Sequence, residues 1–317
     1  MEPAECAVCR ASAANAAVEV ARGLDFEYDT SDDTFSMVEC QTCRTIYLNP
    51  RPTAEELARI YPHNYYSYNY SSRVNPLAIK IKDFLDKNKS KGWLKFCRTD
   101  NPRFLDIGCG NGRNLEILEK LGLSRQNLYG LEIKNETVDK LKERGFNAFL
   151  GAAEEAALQL KNEDPFDLIV ILQVLEHVKD PDLVMKSLAH LLKPEAVLVV
   201  ETPNVDSLDC NLFKKRYWGG YHFPRHWYLF NQESLAKLGA KAGLQVISVK
   251  YLPAQTFWIY SLHHIVKEKF SPKLAGALFD PFRNLFLLSV FTAFDILRAK
   301  LGFSTSNIQV VFQKSQS

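Results

Sequence analysis

Leu105-Asp-Ile-Gly-Cys-Gly-Asn-Gly112 is the stretch that decides how this chain is built. A short apolar run, Arg103-Phe-Leu-Asp-Ile, enters three glycines at alternate positions. It leaves as an amphipathic segment, Arg113 to Leu121, so the reading is strand, glycine turn, helix. Glycines let the backbone turn sharply and let a ligand approach the main chain closely. In open α/β sheets, ligands bind at the carboxyl ends of such strands.

Outward from this turn the two periods alternate. Strands are expected at Leu128–Ile133, Ala148–Leu150, Phe166–Leu172 and Ala196–Glu201, with helices at Glu136–Arg144 and Pro181–Leu192 between them. Phe166-Asp-Leu-Ile-Val-Ile-Leu is almost continuously apolar, as a strand covered on both faces must be. Such alternation predicts a doubly wound, Rossmann-like α/β sheet. Towards the C-terminus a helix near Glu233–Ala242, a strand Leu244–Leu252 and a last strand Asn307–Gln313 are expected, with a helical insertion over 253–305.

The ligand can be narrowed from the residues. A lone glycine turn also serves nicotinamide and flavin enzymes. Here the spacing is Gly-x-Gly-x-Gly, and Asp106 stands two residues before the first glycine, where a carboxylate suits an ammonium better than a pyrophosphate. Glu132 ends the next strand, 22 residues beyond Gly110, placed to accept both hydroxyls of a ribose. A cationic amino group and a ribose together describe S-adenosylmethionine.

The series Leu105-Asp-Ile-Gly-Cys-Gly-Asn-Gly, Gly130-Leu-Glu-Ile, Gly151-Ala-Ala-Glu-Glu, Phe166-Asp-Leu-Ile-Val, Leu172-Gln-Val-Leu-Glu-His-Val, Leu192-Lys-Pro and Glu201-Thr-Pro-Asn resembles, in order, the motifs of class I S-adenosylmethionine-dependent methyltransferases. The resemblance covers residues 102 to about 252, and Asn307–Gln313 is similar to the family's antiparallel seventh strand. It implies a seven-stranded sheet, with the domain at 102–317. It also implies that Asp106 and Gly108 hold the methionine moiety, with Cys109 (a small filler) and Gly110 completing the loop. By the same resemblance Glu132 holds the ribose, Ile133, Ala153 and Glu154 border the adenine, and Gln173 lines the pocket. Tyr65 and Tyr66 are placed to close over a sulfonium, since aromatic faces attract cations. Plainer readings stand beside these: Glu154 as a solvated helix-start acid, and the tyrosines as packing for the linker 49–101.

Residues 1–48 carry Cys6-x-x-Cys9 and Cys40-x-x-Cys43. Each pair offers two thiolates from one tight turn, and two such turns make a closed tetrahedral zinc site with no open position for substrate. The expectation is a small structural zinc module; a redox or coincidental pairing is the alternative. A similar knuckle pair with a tyrosine-rich linker occurs in bacterial methyltransferases that resemble the sugar C-methyltransferases.

Glu176-His177 follows the fourth expected strand, and Tyr221-His-Phe-Pro-Arg-His226 follows the fifth. Gln173-x-x-Glu176-His177 with a later histidine resembles the Glu-x-x-Glu-His magnesium site of some O-methyltransferases, with Gln173 in place of a glutamate. The resemblance implies Mg at Glu176, His177 and His226; the reading favoured from the residues makes His177 and His226 polar lining and His222 or His226 the general base. A histidine that only orders its loop is the plain counterpart.

Composition sets the remaining bounds. Hydrophobic residues are 46% and charged residues 24%, typical of a globular chain, and a net charge of +2 gives no long-range pull toward nucleic acid. MEPAECAVCR lacks a basic stretch followed by an apolar one, so a reducing cytoplasm is the expected compartment. O-methylation of a small-molecule, glycan or lipid-linked acceptor is the expected activity. A catalytically silent zinc scaffold that binds the cofactor and a nucleic-acid methyltransferase are the rivals. Within the insertion, Leu285-Phe-Leu-Leu-Ser-Val-Phe-Thr-Ala-Phe294 is apolar all round, which calls for burial in the core, in a second copy or against a membrane. Packing in the core is the favoured reading of the three.

Overall fold

The computed structural model describes residues 1–11, 17–61, 76–281 and 283–314. Tyr65 and Tyr66 lie outside the described residues. In chain order the elements are β1 (Ala17–Gly23), β2 (Phe35–Cys40), β3 (Ile46–Leu48), α1 (Ala54–Ile60), α2 (Pro76–Leu94), β4 (Phe104–Ile107), α3 (Arg113–Lys120), β5 (Leu128–Glu132), α4 (Asn135–Glu143), β6 (Asn147–Leu150), α5 (Ala156–Gln159) and β7 (Phe166–Leu172). After them come α6 (Pro181–Leu191), β8 (Leu192–Pro203), α7 (Leu208–Phe213), β9 (Tyr228–Leu229), α8 (Gln232–Lys241), β10 (Leu244–Leu252), α9 (Gln255–Lys269), α10 (Pro272–Leu278), α11 (Leu285–Lys300) and β11 (Asn307–Lys314).

Packing groups these into two compact units. The sheet unit comprises Ile79–Glu201, Leu235–Val249 and Gln309–Ser317. Its seven-stranded sheet runs β10-β11-β8-β7-β4-β5-β6. Strands β4, β5, β6, β7 and β8 pair in parallel, with Asp106 level with Gly130 on one side and Val170 on the other. Phe104, Leu105, Leu168, Ile169, Val170, Val197, Leu198 and Val199 are fully buried, so the central strands are covered on both faces. Each such side chain contributes roughly 1.5–3 kcal/mol. The apolar runs and the strand order have one cause: only a central strand needs no polar face.

Strand β8 begins four residues earlier than the apolar pattern suggests. Leu192 already pairs with Phe166, and the Lys-Pro-Glu that follows is absorbed as an irregularity, with Glu195 at φ 61°.

The second unit gathers Met1–Ala78, Thr202–Ser234 and Lys250–Ile308. Its sheet runs β1-β2-β3-β9, antiparallel throughout. Strand β9 comes from far along the chain, with Ile46 opposite Leu229 and Tyr47 opposite Tyr228. The sheet is therefore not confined to residues 1–48. Thr53 opens α1 through a capping box with Glu56, as the acids after it suggested.

The insertion forms α9, α10 and α11. Core packing of α11 is not what the structure shows: Asp295 is its one fully buried residue, and most of its apolar side chains are exposed or half-buried. The carboxylate of Asp295 accepts hydrogen bonds from Trp258 Nε1 and Ala254 N, both at 3.2 Å, and Phe291 stacks on Trp258 at 5.3 Å. Those contacts fix the inner edge of the helix and leave its apolar residues outside.

Candidate functional site

In the sheet unit, the predicted cofactor residues converge on the carboxyl ends of β4, β5 and β7. Gly108 N and Cys109 N both donate to Leu131 O, at 2.8 and 3.1 Å, which stitches the glycine loop to the end of β5. Gly110 N donates to Glu132 Oε2 at 2.9 Å, while Glu132 Oε1 accepts from Ile133 N at 2.9 Å. Glu132 thus braces the loop as well as ending its strand. Gly108 and Gly110 have φ of 67° and 51°, and a Cβ at Gly110 would meet nothing within 4 Å. At Gly110 no protein atom blocks a close approach of a ligand to the left-handed backbone.

Asp106 is buried, and its Oδ2 accepts from Asn114 Nδ2 at 2.9 Å. Burial pushes its carboxyl up to about 7; Asn114 and the charge of Lys89 work the other way. A carboxylate held so reluctantly gains most from a cation placed beside it. Lys89 in turn reaches Glu201 Oε2 at 3.2 Å. Burial works against its charge, yet Glu201 and Asp86 outweigh that and hold its pKa above the ordinary lysine value. Sequence reasoning missed Lys89, Asn114 and Glu201 as a group. The one available signal was Asn114, a polar residue in the first turn of the helix after the loop.

Gln173 stands just past β7 with φ 55°, an uncommon conformation for glutamine. Its backbone N is anchored to Glu201 O at 2.8 Å, and its buried side-chain Nε2 lacks a partner among the described residues. A buried donor left so is expensive unless a ligand accepts from it. Ile133 is 69% exposed, and Ala153 is buried. Glu154 Oε1 instead accepts from Lys179 N at 2.7 Å and Asp180 N at 3.4 Å, bracing the turn before α6. Cys109 is buried against Gly130, where a Cβ would lie 2.6 Å from its sulfur, and burial raises its thiol pKa well above the ordinary value. His177 is half-buried on the turn after β7, next in the chain to the fully buried Glu176.

The second unit holds the cysteines and the later histidines. Each Cys-x-x-Cys closes as a turn, with Arg10 N donating to Cys6 O at 2.7 Å and Arg44 N to Cys40 O at 2.9 Å. Arg10 and Arg44 both adopt positive φ, 60° and 67°, so the two knuckles repeat one geometry. Cys6 Sγ lies 3.3 Å from Cys43 Sγ and Cys9 Sγ 3.4 Å from Cys40 Sγ, and all four sulfurs lie within 4.8 Å of one another. Disulfide bonds are about 2.05 Å long, so these are separate thiols. Tetrahedral zinc with bonds of about 2.3 Å separates its ligands by about 3.8 Å, which this cluster fits. Hydrogen bonding between the pair draws the Cys43 thiol down to about 4 and pushes Cys6 up.

His222 and His226 sit on the turn before β9. His222 has φ 41° and is buried, with Nδ1 2.7 Å from Glu27 Oε2. His226 Nδ1 is 2.8 Å from Gly220 O, and the two rings are 5.0 Å apart. Arg225 between them is fully buried and donates Nη1 and Nη2 to the two oxygens of Asp25, both at 2.9 Å. Its guanidinium also lies 4.4 Å from the centre of the Tyr28 ring. Burial works to raise the Asp25 pKa, but Arg225 and Thr30 outweigh it and hold it below the usual value. His264 also faces Glu27, at 4.0 Å, and burial lowers its pKa to about 4. Glu27 and Asp25 were not singled out from the sequence, where Leu24-Asp-Phe-Glu-Tyr reads as an ordinary loop.

Over residues 66–249, more than half of the chain, the sequence matches the family described as a methyltransferase domain. The ubiquinone biosynthesis O-methyltransferase of Bartonella tribocorum is 33% identical over 108 residues, covering 33% of this chain and 42% of that protein. The protein of the same name from Pelagibacter ubique is 30% identical over 138 residues, covering 41% and 54% respectively. The chain thus matches about half or less of the length of these curated relatives. Among solved structures, a SAM dependent methyltransferase from Archaeoglobus fulgidus gives a TM-score of 0.47 at 18% identity, covering 73% of this chain and 94% of that one. By its sequence match to the methyltransferase domain, the chain belongs to the class I S-adenosylmethionine-dependent methyltransferases.

Proposed function

We propose that the chain methylates a hydroxyl oxygen of a small organic acceptor, with S-adenosylmethionine as donor. The observation that carries the reading is the cradle in the sheet unit, where buried Asp106, the open Gly110 backbone and the unpartnered Gln173 amide await a cationic, hydrogen-bonding ligand. When bound, S-adenosylmethionine supplies an electrophilic methyl group on a sulfonium. Asp106 would hold its ammonium, Glu132 its ribose, and Ile133 and Ala153 its adenine. The oxygen as acceptor atom is supported by relatives named as O-methyltransferases. Glycan and lipid-linked alcohols remain within the same chemistry.

Methyl transfer asks the protein to align the acceptor and remove its proton. His222 or His226 is the proposed base, as the residue pattern after β8 suggests. His177 and His226 are assigned polar roles without metal. One carboxylate and two imidazoles make a poor magnesium set, since that ion takes oxygen ligands. The four cysteines are proposed to hold one structural zinc.

Calorimetry with S-adenosylhomocysteine tests the cofactor assignment. Glu132→Ala should weaken binding about tenfold to a hundredfold, as a lost hydrogen bond to a charged group implies. Unchanged affinity in both Glu132→Ala and Asp106→Ala would overturn it.

A further inference from the structure

Helix α11 is built inside out. Its buried residue is the carboxylic acid Asp295, and its exposed face is apolar. Phe286, Val290, Phe294 and Leu297, with Leu301 just past its end, are all exposed, Phe286 at 75% and Leu301 at 65%. Their spacings of four, four, three and four fall within a ~80° arc of a helix that turns ~100° per residue. Asp295 lies on the opposite side. Phe270, Leu274, Leu278 and Phe303 add further exposed apolar side chains around α10 and after α11. An apolar stripe exposed along one helix face marks an interaction surface.

The charges say what covers it. Among the described residues of 271–303, the exposed ionisable side chains are Lys273, Arg283 and Lys300; before them Lys269 sits beside the exposed Glu268, which pairs with Arg216. The acids of this segment are the buried Asp295 and the half-buried Asp280. A second copy would bring cation against cation at the rim of the patch. An anionic bilayer meets the cations with phosphates and takes the phenylalanines among its acyl chains. No described helix is long and apolar enough to cross a membrane, and α11 has 16 residues, so the fitting arrangement is a helix lying in the interface.

We propose that the exposed apolar face of α11 is a docking surface for an anionic phospholipid membrane. The phenylalanine stripe supplies insertion, and the three cations supply selection for negatively charged lipid. This rests on exposure and charge, independently of the methyl-transfer reading.

The full chain should sediment with phosphatidylcholine vesicles containing about 30 mol% phosphatidylglycerol, an anionic surface of the kind basic segments bind, and stay in solution with pure phosphatidylcholine. Raising salt should weaken the association. Phe286→Asp with Leu297→Asp should reduce binding at least about tenfold, and Lys273→Glu with Lys300→Glu should abolish the preference for anionic lipid. All four positions are exposed, and an unchanged circular dichroism spectrum and melting temperature would show the variants folded. Equal binding to both vesicles, or none to either, overturns the proposal. So does a dimer in light scattering that Phe286→Asp with Leu297→Asp dissociates, because a second copy would then own the face.

Discussion

Glu27 Oε2 lies 2.7 Å from His222 Nδ1, a buried carboxylate on a buried imidazole, joining residues almost 200 positions apart. A carboxylate at Nδ1 holds the proton there and leaves Nε2 as the basic nitrogen. Nitrogen chemical shifts of selectively labelled histidine should show His222 protonated on Nδ1. Glu27→Gln should lose that preference. On any acceptor that supports turnover, His222→Ala should lower kcat by roughly 10²–10⁴-fold with little change in cofactor affinity. A tautomer indifferent to Glu27→Gln would remove the carboxylate from this role.

Burial disfavours the charged form of Asp106, which a cation beside it would relieve. Its folded pKa, about 7, stands above an ordinary value of 3.8. The sign follows: the penalty is absent below pH 4, grows as pH rises, and is complete above pH 7. Asp106→Asn should therefore melt at the wild-type temperature near pH 4. By pH 8 the cofactor-free variant should be more stable, by up to about 4 kcal/mol. The same change should weaken S-adenosylhomocysteine. Melting curves at the two pH values measure the first effect and calorimetry the second.

Zinc predicts about one metal per chain by elemental analysis. Cys40→Ser with Cys43→Ser should remove it and loosen the β1-β2-β3-β9 sheet, since both residues flank the turn between β2 and β3. Full metal content in that double variant would place the ligands elsewhere.

Arg225 and Asp25 form a bidentate pair with no exposure on either side chain. Arg225→Ala should destabilise the chain by about 3–5 kcal/mol, because it strands a buried carboxylate. Replacing both residues by apolar ones should be much milder. Denaturant titration of the single and double variants reads the difference.

Local pattern carried the sheet unit and little of the other. The strand β4, its glycine loop and Glu132 are legible because their periodicity and spacing lie within thirty residues. Asn307–Gln313 was recognised as a last strand for the same reason, an apolar run bounded by polar residues. Strand β9 is two residues long and, among the described residues, pairs with β3, so nothing local marks it. Glu27 and Asp25 look like solvated loop acids until His222 and Arg225 arrive beside them. Lys89 hides in a helix where Lys87 and Lys91 are exposed, and its carboxylate partner lies 112 positions away. For α11 the apolar composition was plain, but the direction in which it faces depends on Asp295 and Trp258, contacts no period reports.

The pairing of β3 with β9 sets a clock on synthesis. β1, β2 and β3 and both cysteine knuckles lie within residues 1–48 and leave the ribosome well before β9. The outer edge of β3 must then wait for Tyr228 and Leu229, about 180 residues later. At ~5–20 residues per second this interval is roughly ten to forty seconds. Throughout it a nascent chain carries an open strand edge, a template for pairing with its neighbours on the same message. Early metal capture by the knuckles would hold that half-made sheet in shape until its last strand is translated.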